Sequence, residues 1–289
     1  MPLGAHLPTS KGFFSTLQHA QALGCDCVQI FSKSPRQWHA TPLEETKAAA
    51  FREAWSTTGL APLVAHNSYL INLAAQDAAM REKFIAAMID EVQRADLLGC
   101  DYLVTHCGAH LCQDKEISKR EEGEVSGLKR LAQSLEQVLE ATPKAKVKIA
   151  LENTCGQGTC LGGPFEHIAF VLQGLSTPRL AVCLDTCHAF AFGHDMSTPA
   201  ALKKTLRNFD QNIGLKNLAV IHLNDSKGEA GKHLDRHEHI GQGEIGRDAM
   251  RNIVNHPQLR ALPFILETPE TETMLETNLR TVRELKKAS

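Results

Sequence analysis

The sequence predicts an α/β fold, a (β/α)8 TIM barrel that spans residues 1–289 as a single domain. Short apolar runs recur eight times and start about 20 to 50 residues apart, which leaves room in each unit for a strand, a helix and two loops. The chain is 43% apolar, which is enough to build a large core. Eight units of this kind favour a closed barrel over an open, doubly wound sheet.

The apolar runs are the predicted strands, and helical patterns lie between them. The runs do not alternate strictly between apolar and polar residues, which is typical of parallel strands buried on both faces. The clearest helical patterns occupy 77–98 and 124–140. Gly24, Gly59 and Gly99 lie where the helices before strands two, three and four should end. The strands are predicted at 3–7, 27–32, 63–66, 102–106, 147–153, 180–185, 218–225 and 264–268.

Composition limits the compartment and the partners. The formal net charge is −2, so the chain carries no global basic field for a nucleic acid. The nine cysteines are scattered without a C-x-x-C pair, which indicates free thiols in a reducing compartment. The start, MPLGAHLPTS, lacks the pattern of a signal peptide, and no apolar run approaches the ~18 residues of a membrane span. We therefore expect a cytoplasmic protein with no membrane partner.

Imidazoles and carboxylates end six consecutive predicted strands. The strands of a barrel all end at one rim, where barrel enzymes place their chemistry. Uncompensated charge gathered at one rim is costly, and divalent metal ions are the simplest compensation for clustered nitrogen and oxygen ligands. The residues that end strands three to eight are His66, His106, Glu152, Asp185, His222 and Glu267.

Loop residues enlarge this set. His188 lies three residues after Asp185, so the two side chains can diverge from one turn toward neighbouring metals. Asp235 and His237 are two apart, and in extended backbone they point the same way. Five histidines and four carboxylates exceed one tetrahedral site and could fill two or three. The set contains no cysteine, which suits a catalytic zinc or manganese centre. His6, at the end of strand one, could contact the metal ligands without binding metal itself.

Three segments give the chain a family resemblance. They are HNSYLINLA (66–74), CLDTCH (183–188) and HLNDSKGEAGKHLDRH (222–237). With these segments the sequence resembles the endonuclease IV family of abasic-site endonucleases, and further similar segments extend the likeness almost from end to end. One departure is that Cys107 follows His106 where the family usually has proline. We expect Cys107 to line the wall of the site as a thiol and not to bind metal.

The resemblance implies a trinuclear zinc centre. Manganese could replace zinc at part of it. The resemblance also implies that Glu152 and Glu267 orient the attacking hydroxide. Three Zn²⁺ ions would change the formal net charge from −2 to about +4, with the added charge in the cleft. The implied ligands are His66, His106 and the bridging Glu152 for the first ion, Glu152, Asp185, His222 and Glu267 for the second, and His188, Asp235 and His237 for the third.

The resemblance also implies the substrate. It is double-stranded DNA with abasic sites or blocked 3′ ends, cut on the 5′ side of the lesion to leave a 3′-hydroxyl in base excision repair. Arg36, Tyr69 and Leu70 would fill and wedge the base stack from the loops after strands two and three. On composition alone these three residues would only pack or solvate the rim. We expect the enzyme to be a monomer.

Two other functions remain open from the residues alone. The first is a xylose isomerase-like, two-metal sugar isomerase, which would share the quartet Glu152, Asp185, His222 and Glu267. The five remaining ligand candidates would be surplus in that enzyme. The second is a catalytically silent protein that binds DNA or stores metal. Metal content together with an incision assay would separate the three hypotheses.

Overall fold

A computed structural model describes residues 1–38, 40–114, 116–269 and 272–287, and within them eight parallel strands close a barrel. The barrel strands are β1 (Leu3–His6), β2 (Cys27–Phe31), β3 (Leu63–His66), β4 (Tyr102–His106), β5 (Lys148–Glu152), β6 (Leu180–Asp185), β7 (Leu218–His222) and β10 (Phe264–Leu266). The order around the barrel is β1-β10-β7-β6-β5-β4-β3-β2, so neighbouring barrel strands are consecutive along the chain. The TIM-barrel prediction is therefore confirmed.

Helices surround the barrel and return the chain to its N-terminal rim. The predicted 77–98 helix begins after Asp77, whose carboxylate accepts a hydrogen bond from Met80 N at 2.7 Å, and it ends at Gly99 in a left-handed conformation. In the described part of the chain no helix is long and apolar enough to cross a membrane. The helices are α1 (Phe13–Ala22), α2 (Glu45–Ser56), α3 (Ala78–Leu98), α4 (Ile117–Ala141), α5 (Phe165–Leu175), α6 (Thr186–Phe192), α7 (Pro199–Asn212), α8 (Arg247–Asn255) and α9 (Glu272–Lys287), with a 3-10 turn at Leu215–Asn217.

Some predicted boundaries differ from the structure. The run at 218–225 leaves the barrel at His222, and its end forms β8 (Asp225–Ser226), which pairs with β9 (His237–Glu238). The cause is Asp225, whose carboxylate accepts backbone N–H groups of the 241–246 loop and so turns the chain away from the barrel axis. The last barrel strand ends at Leu266, so Glu267 follows that strand instead of belonging to it.

The barrel interior explains why the polar residues converge. A small apolar cluster fills its centre, and it includes Cys27, Val64, Val104, Ala150, Cys183, Val220 and Ile265. Successive side chains of a strand point to opposite faces, so the residue two positions later points inward again. The residues two positions after those core residues form the next inward layer toward the C-terminal rim, namely Gln29, His66, His106, Glu152, Asp185, His222 and Glu267.

Candidate metal centre

Glu152 lies at the centre of the polar layer and is completely buried. Its Oε2 lies 3.2 Å from Nε2 of His66 and 3.1 Å from Nε2 of His106. Its Oε1 lies 3.1 Å from Nδ1 of His222. One carboxylate thus contacts imidazoles on both sides, as a residue that bridges two metals must.

Three groups of side chains have the spacing of metal sites. Within each group, one ligand atom from every residue lies within 4.8 Å of the others. The first two groups contain the same residues that the family resemblance assigns to the first and second zinc. The groups are His66, His106 and Glu152; then Glu152, Asp185, His222 and Glu267; then Asp185, His188 and His237.

The third group differs from the implied set in one residue. Asp185 joins it through Oδ2, which lies 3.6 Å from Nε2 of His237. Asp235, which the resemblance implies as a ligand here, lies next to the group, with Oδ1 3.3 Å from Nε2 of His188. All nine predicted ligands therefore come together at one rim, and their assignment as ligands stays a prediction.

Backbone carbonyls orient three of the histidines. Nδ1 of His66 donates to Asn67 O at 2.9 Å, and Nδ1 of His188 donates to Asn153 O at 3.0 Å. Nδ1 of His237 donates to Glu267 O at 2.8 Å. With the proton on Nδ1, each ring turns the lone pair of Nε2 toward the cluster, which is how protein histidines are prepared for metal.

One buried nitrogen atom of the cluster lacks a partner that a metal ion could supply. Nε2 of His237 is buried and has no hydrogen-bond partner among the described residues. Such orphaned polar atoms are costly and call for a partner. The donors around it are imidazole nitrogens and carboxylate oxygens, the ligands that zinc and manganese accept. The side chains present therefore fit divalent metal.

Neighbouring imidazoles favour the ionised form of three carboxylates in the cluster. Burial alone would raise the pKa of Glu152, but the imidazoles of His222 and His106 outweigh it and hold that pKa well below its usual range. Burial opposes the same trend at Glu267, where His222 lowers the pKa well below its usual range. Contact with the imidazole of His188 lowers the pKa of Asp235 to about 2. Negative charge is thus held inside the protein, where metal cations would balance it.

The neighbouring thiols are held in the protonated form in the metal-free protein. Burial raises the pKa of Cys107 and of Cys187 to about 12, so both remain protonated at neutral pH. The Cys107 thiol donates to the backbone oxygen of Glu152 at 3.7 Å. Cys107 is fully buried against Glu152, next to the proposed ligands, and is not among the described residues that line the cavity.

A cavity of about 910 Å³ opens over the cluster. Tyr69, 66% exposed, stands at its wall with its ring 6.0 Å from that of His66. Leu70 is half-buried beside it, and Arg36 is exposed on the loop after β2. The Ser68 hydroxyl donates to the backbone oxygen of Pro35 at 2.7 Å and joins the two loops. The predicted DNA-contacting residues therefore belong to two joined loops, and Tyr69 is the one among them that lines the cavity.

Sequence reasoning missed three amides that hold the ligands. Asn153 accepts from the backbone N–H of Asp185 at 2.8 Å. Asn224 donates to Oδ2 of Asp185 at 2.7 Å and accepts from the backbone N–H of Glu267 at 2.8 Å. Gln29 contacts His222 and Glu267. Their positions near strand ends could have indicated these three residues. They were overlooked because an uncharged amide at a strand end does not stand out in a sequence.

Comparisons with known proteins agree with this architecture. A family model described as a xylose isomerase-like TIM barrel matches residues 17–285, which defines the class of the chain. Two relatives, each called probable endonuclease 4, come from Chloroflexus aurantiacus (43% identical, covering 98% of this chain and 97% of the relative) and Methanoculleus marisnigri (40%, covering 98% of each). The chain belongs to the endonuclease IV family.

Solved structures lead to the same family. The crystal structure of endonuclease IV from Thermus thermophilus matches with a TM-score of 0.87 at 32% identity, over 100% of both chains. A D-tagatose 3-epimerase-like protein matches with a TM-score of 0.72 at 16% identity, over 100% of this chain and 98% of that one. At that identity the second likeness shows the shared fold alone.

Proposed function

We propose that this protein is a metal-dependent endonuclease that hydrolyses the phosphodiester 5′ to an abasic site in duplex DNA and leaves a 3′-hydroxyl. We also propose that it removes blocking groups from 3′ ends and binds about three zinc ions, with manganese acceptable at part of the centre. The observation that carries the proposal is the convergence of nine imidazoles and carboxylates under one open cavity. Membership of the endonuclease IV family supports the choice of DNA as substrate.

The exposure of each carboxylate indicates the part it would take in hydrolysis. Bound divalent metal would supply positive charge for the phosphate and lower the pKa of bound water to roughly 7. Glu152 is fully buried, so it would hold metal and orient the attacking hydroxide through that metal, without touching the DNA itself. Glu267 lines the cavity, with Oε2 3.1 Å from Nδ1 of His222. It is therefore the carboxylate that can reach the attacking water and orient it toward the phosphorus.

Three residues would act on the DNA helix and not on the phosphodiester bond, namely Tyr69, Leu70 and Arg36. An abasic sugar must leave the duplex before a buried metal centre can reach its phosphate. Side chains that wedge between base steps keep such a site open at a cost of a few kcal/mol. The exposed ring of Tyr69 stands between the cavity and solvent, where a displaced strand would pass.

The sugar-isomerase alternative fits less well. It needs only Glu152, Asp185, His222 and Glu267, the second group. That leaves five further ligand candidates at the same rim without a role. The epimerase-like structures share the fold at low identity, whereas the probable endonucleases are similar along almost the whole chain. We therefore set the isomerase aside.

The test is incision of an end-labelled duplex that contains one abasic analogue. We expect one cut, on the 5′ side of the analogue, that disappears with chelator and returns with zinc. Glu267→Gln should still bind this duplex but cut it at least ~100-fold more slowly, because it keeps its shape and loses the carboxylate charge. Near-normal cutting by Glu267→Gln would remove this residue from the mechanism, and chelator-resistant cutting would exclude the metal.

A further inference from the structure

We propose that Gln29 is a positioning residue of the metal centre, which determines the ring nitrogen that His222 offers to metal. The inference rests on the proposed function in so far as the cluster binds metal. Gln29 lies on β2, two residues after the interior Cys27, and is completely buried in the same inward layer as the ligands. It is uncharged and contacts two members of that layer, His222 and Glu267, together with His6 at the end of β1.

The contacts fix the orientation of the Gln29 amide. Nε2 of Gln29 lies 2.6 Å from Oε1 of Glu267 and 2.9 Å from Nδ1 of His6. A carboxylate that binds metal can only accept hydrogen bonds, so the amide nitrogen must face Glu267. The reversed amide would bring two acceptor oxygens to the same short distance. The amide oxygen therefore faces the other way, toward Nε2 of His222 at 2.7 Å.

This orientation determines the tautomer of His222. Since Oε1 of Gln29 can only accept, Nε2 of His222 must carry the proton and donate it. In the neutral ring that metal binding requires, the lone pair of His222 is then on Nδ1, which lies 3.1 Å from both Oε1 of Glu152 and Oε2 of Glu267. His222 thus presents Nδ1 to the second group, whereas His66 presents Nε2 to the first.

Gln29 accepts a hydrogen bond from His222 in the way that backbone carbonyls accept hydrogen bonds from other histidines of the cluster. His66, His188 and His237 are each held by a main-chain oxygen. The hydrogen bond described for Nε2 of His222 is the one to the Gln29 oxygen, whereas the carboxylates of Glu152 and Glu267 lie beside Nδ1 and the Cys183 thiol is a weak partner of the ring. A single side chain therefore controls this ligand, which makes the control removable by substitution.

Gln29 also holds the second ligand of the same group. Its amide nitrogen occupies Oε1 of Glu267, which leaves Oε2 on the side of His222. The two ligands are thus fixed relative to each other through one amide. Partners of this kind, placed behind metal ligands, are typically worth about 10- to 100-fold in metal affinity.

The test measures zinc and the His222 ring, and it uses no DNA. Gln29→Met keeps the length of the side chain and removes both hydrogen-bonding groups, while Gln29→Asn keeps the amide but is too short to reach. For either variant that folds, competition with a chromophoric chelator should show one zinc bound about 10- to 100-fold more weakly than in the unaltered protein. Ser134→Ala, which removes a buried hydroxyl that donates to Leu73 O, is the control and should retain zinc fully.

Proton NMR of the zinc-loaded protein gives the second readout. The unaltered protein should show an exchange-protected Nε2–H signal from His222, assigned by its loss in His222→Gln. This signal should vanish in Gln29→Met and persist in Gln29→Glu, whose carboxylate can still accept the proton. Unchanged zinc affinity in Gln29→Met and Gln29→Asn, or an unchanged signal in Gln29→Met, would overturn the inference.

The outcomes separate the inference from the proposed function. If the unaltered protein binds zinc but does not cut abasic DNA, while the Gln29 variants lose zinc, the nuclease proposal fails and the role of Gln29 stands. If the protein cuts abasic DNA and the variants bind zinc normally, the role of Gln29 alone fails. If the unaltered protein binds no zinc, both are refuted.

Discussion

Gly108→Ala should loosen two loops of the active-site rim at once. Gly108 lies two residues after the proposed ligand His106 and has a φ of 79°, in the left-handed region. A Cβ there would overlap the side-chain oxygen of Asn72. Asn72 belongs to the loop after β3, which also carries Tyr69, and its amide joins that loop to the loop after β4 through Ala109. The substitution therefore tests whether one asparagine holds both loops in place.

The size of the effect follows from two contributions. An alanine in the left-handed region costs about 1–2 kcal/mol. Displacing Asn72 would break its hydrogen bonds to Ala109 N, Ala109 O and Ala74 N, which measure 2.9, 3.0 and 3.2 Å, at about 1 kcal/mol each. We expect Gly108→Ala to lower the free energy of unfolding by about 4–5 kcal/mol. Gly158→Ala is the matched control, because Gly158 has a φ of 63° but an added Cβ would meet nothing within 4 Å.

The assay is urea unfolding of metal-free protein, followed by circular dichroism, since bound metal would add its own stabilisation. Gly158→Ala should lose only the conformational cost of about 1–2 kcal/mol. Gly108→Ala should lose more and should also bind abasic duplex more weakly, because the loop that carries Tyr69 is no longer held. Equal losses of stability in the two variants would refute the reasoning, since Asn72 would then move without cost.

Three further predictions concern DNA, metal and pH. Tyr69→Ala combined with Leu70→Ala should weaken binding of abasic duplex tenfold or more and leave zinc content unchanged. Removal of a 3′-phosphate from a nicked end should be spared. Equal losses on both substrates would mean that the residues only hold the rim together. Elemental analysis of mildly purified, active protein should find about three metal ions per chain, and one or fewer would contradict a trinuclear centre. Burial opposes protonation of His66, His188 and His222, but the acidic groups beside them raise their pKa in metal-free protein. Metal must displace these protons, so zinc affinity should fall as pH falls, by about tenfold per pH unit for each proton displaced; a chelator competition that shows no dependence on pH would exclude this coupling.

The fold was predictable because strand burial leaves a strong pattern. All eight barrel strands lie where apolar runs predicted them, since a strand covered on both faces must be apolar along its length. The boundaries were less certain at Glu267 and at Asp225. Both residues follow their barrel strand. At Asp225 the chain turns because the 241–246 loop donates hydrogen bonds to its carboxylate, which the sequence does not reveal. Two-residue strands such as β8 and β9 are too short to leave any period.

The site was predictable as far as charge reveals it. Imidazoles and carboxylates at strand ends stand out, because six of them must share one rim. What the sequence does not show is which ring nitrogen each histidine uses, since that depends on the main-chain oxygens of Asn67, Asn153 and Glu267. Gln29 was missed for a related reason. It lies on the same inward period as the ligands, but its role follows from hydrogen bonds that only the folded barrel brings together.

The most direct test of the central claim is a zinc titration of metal-free protein with incision of an abasic duplex as the readout. The claim is that the clustered imidazoles and carboxylates hold the metals that cut DNA. We expect no incision without metal, a rise as zinc is added and a plateau at about three equivalents, the number that the ligand set can hold. His106→Ala, which removes one proposed ligand from the first group, should need more zinc or never reach the plateau. Full incision by metal-free protein, or a plateau that does not change in His106→Ala, would contradict the claim.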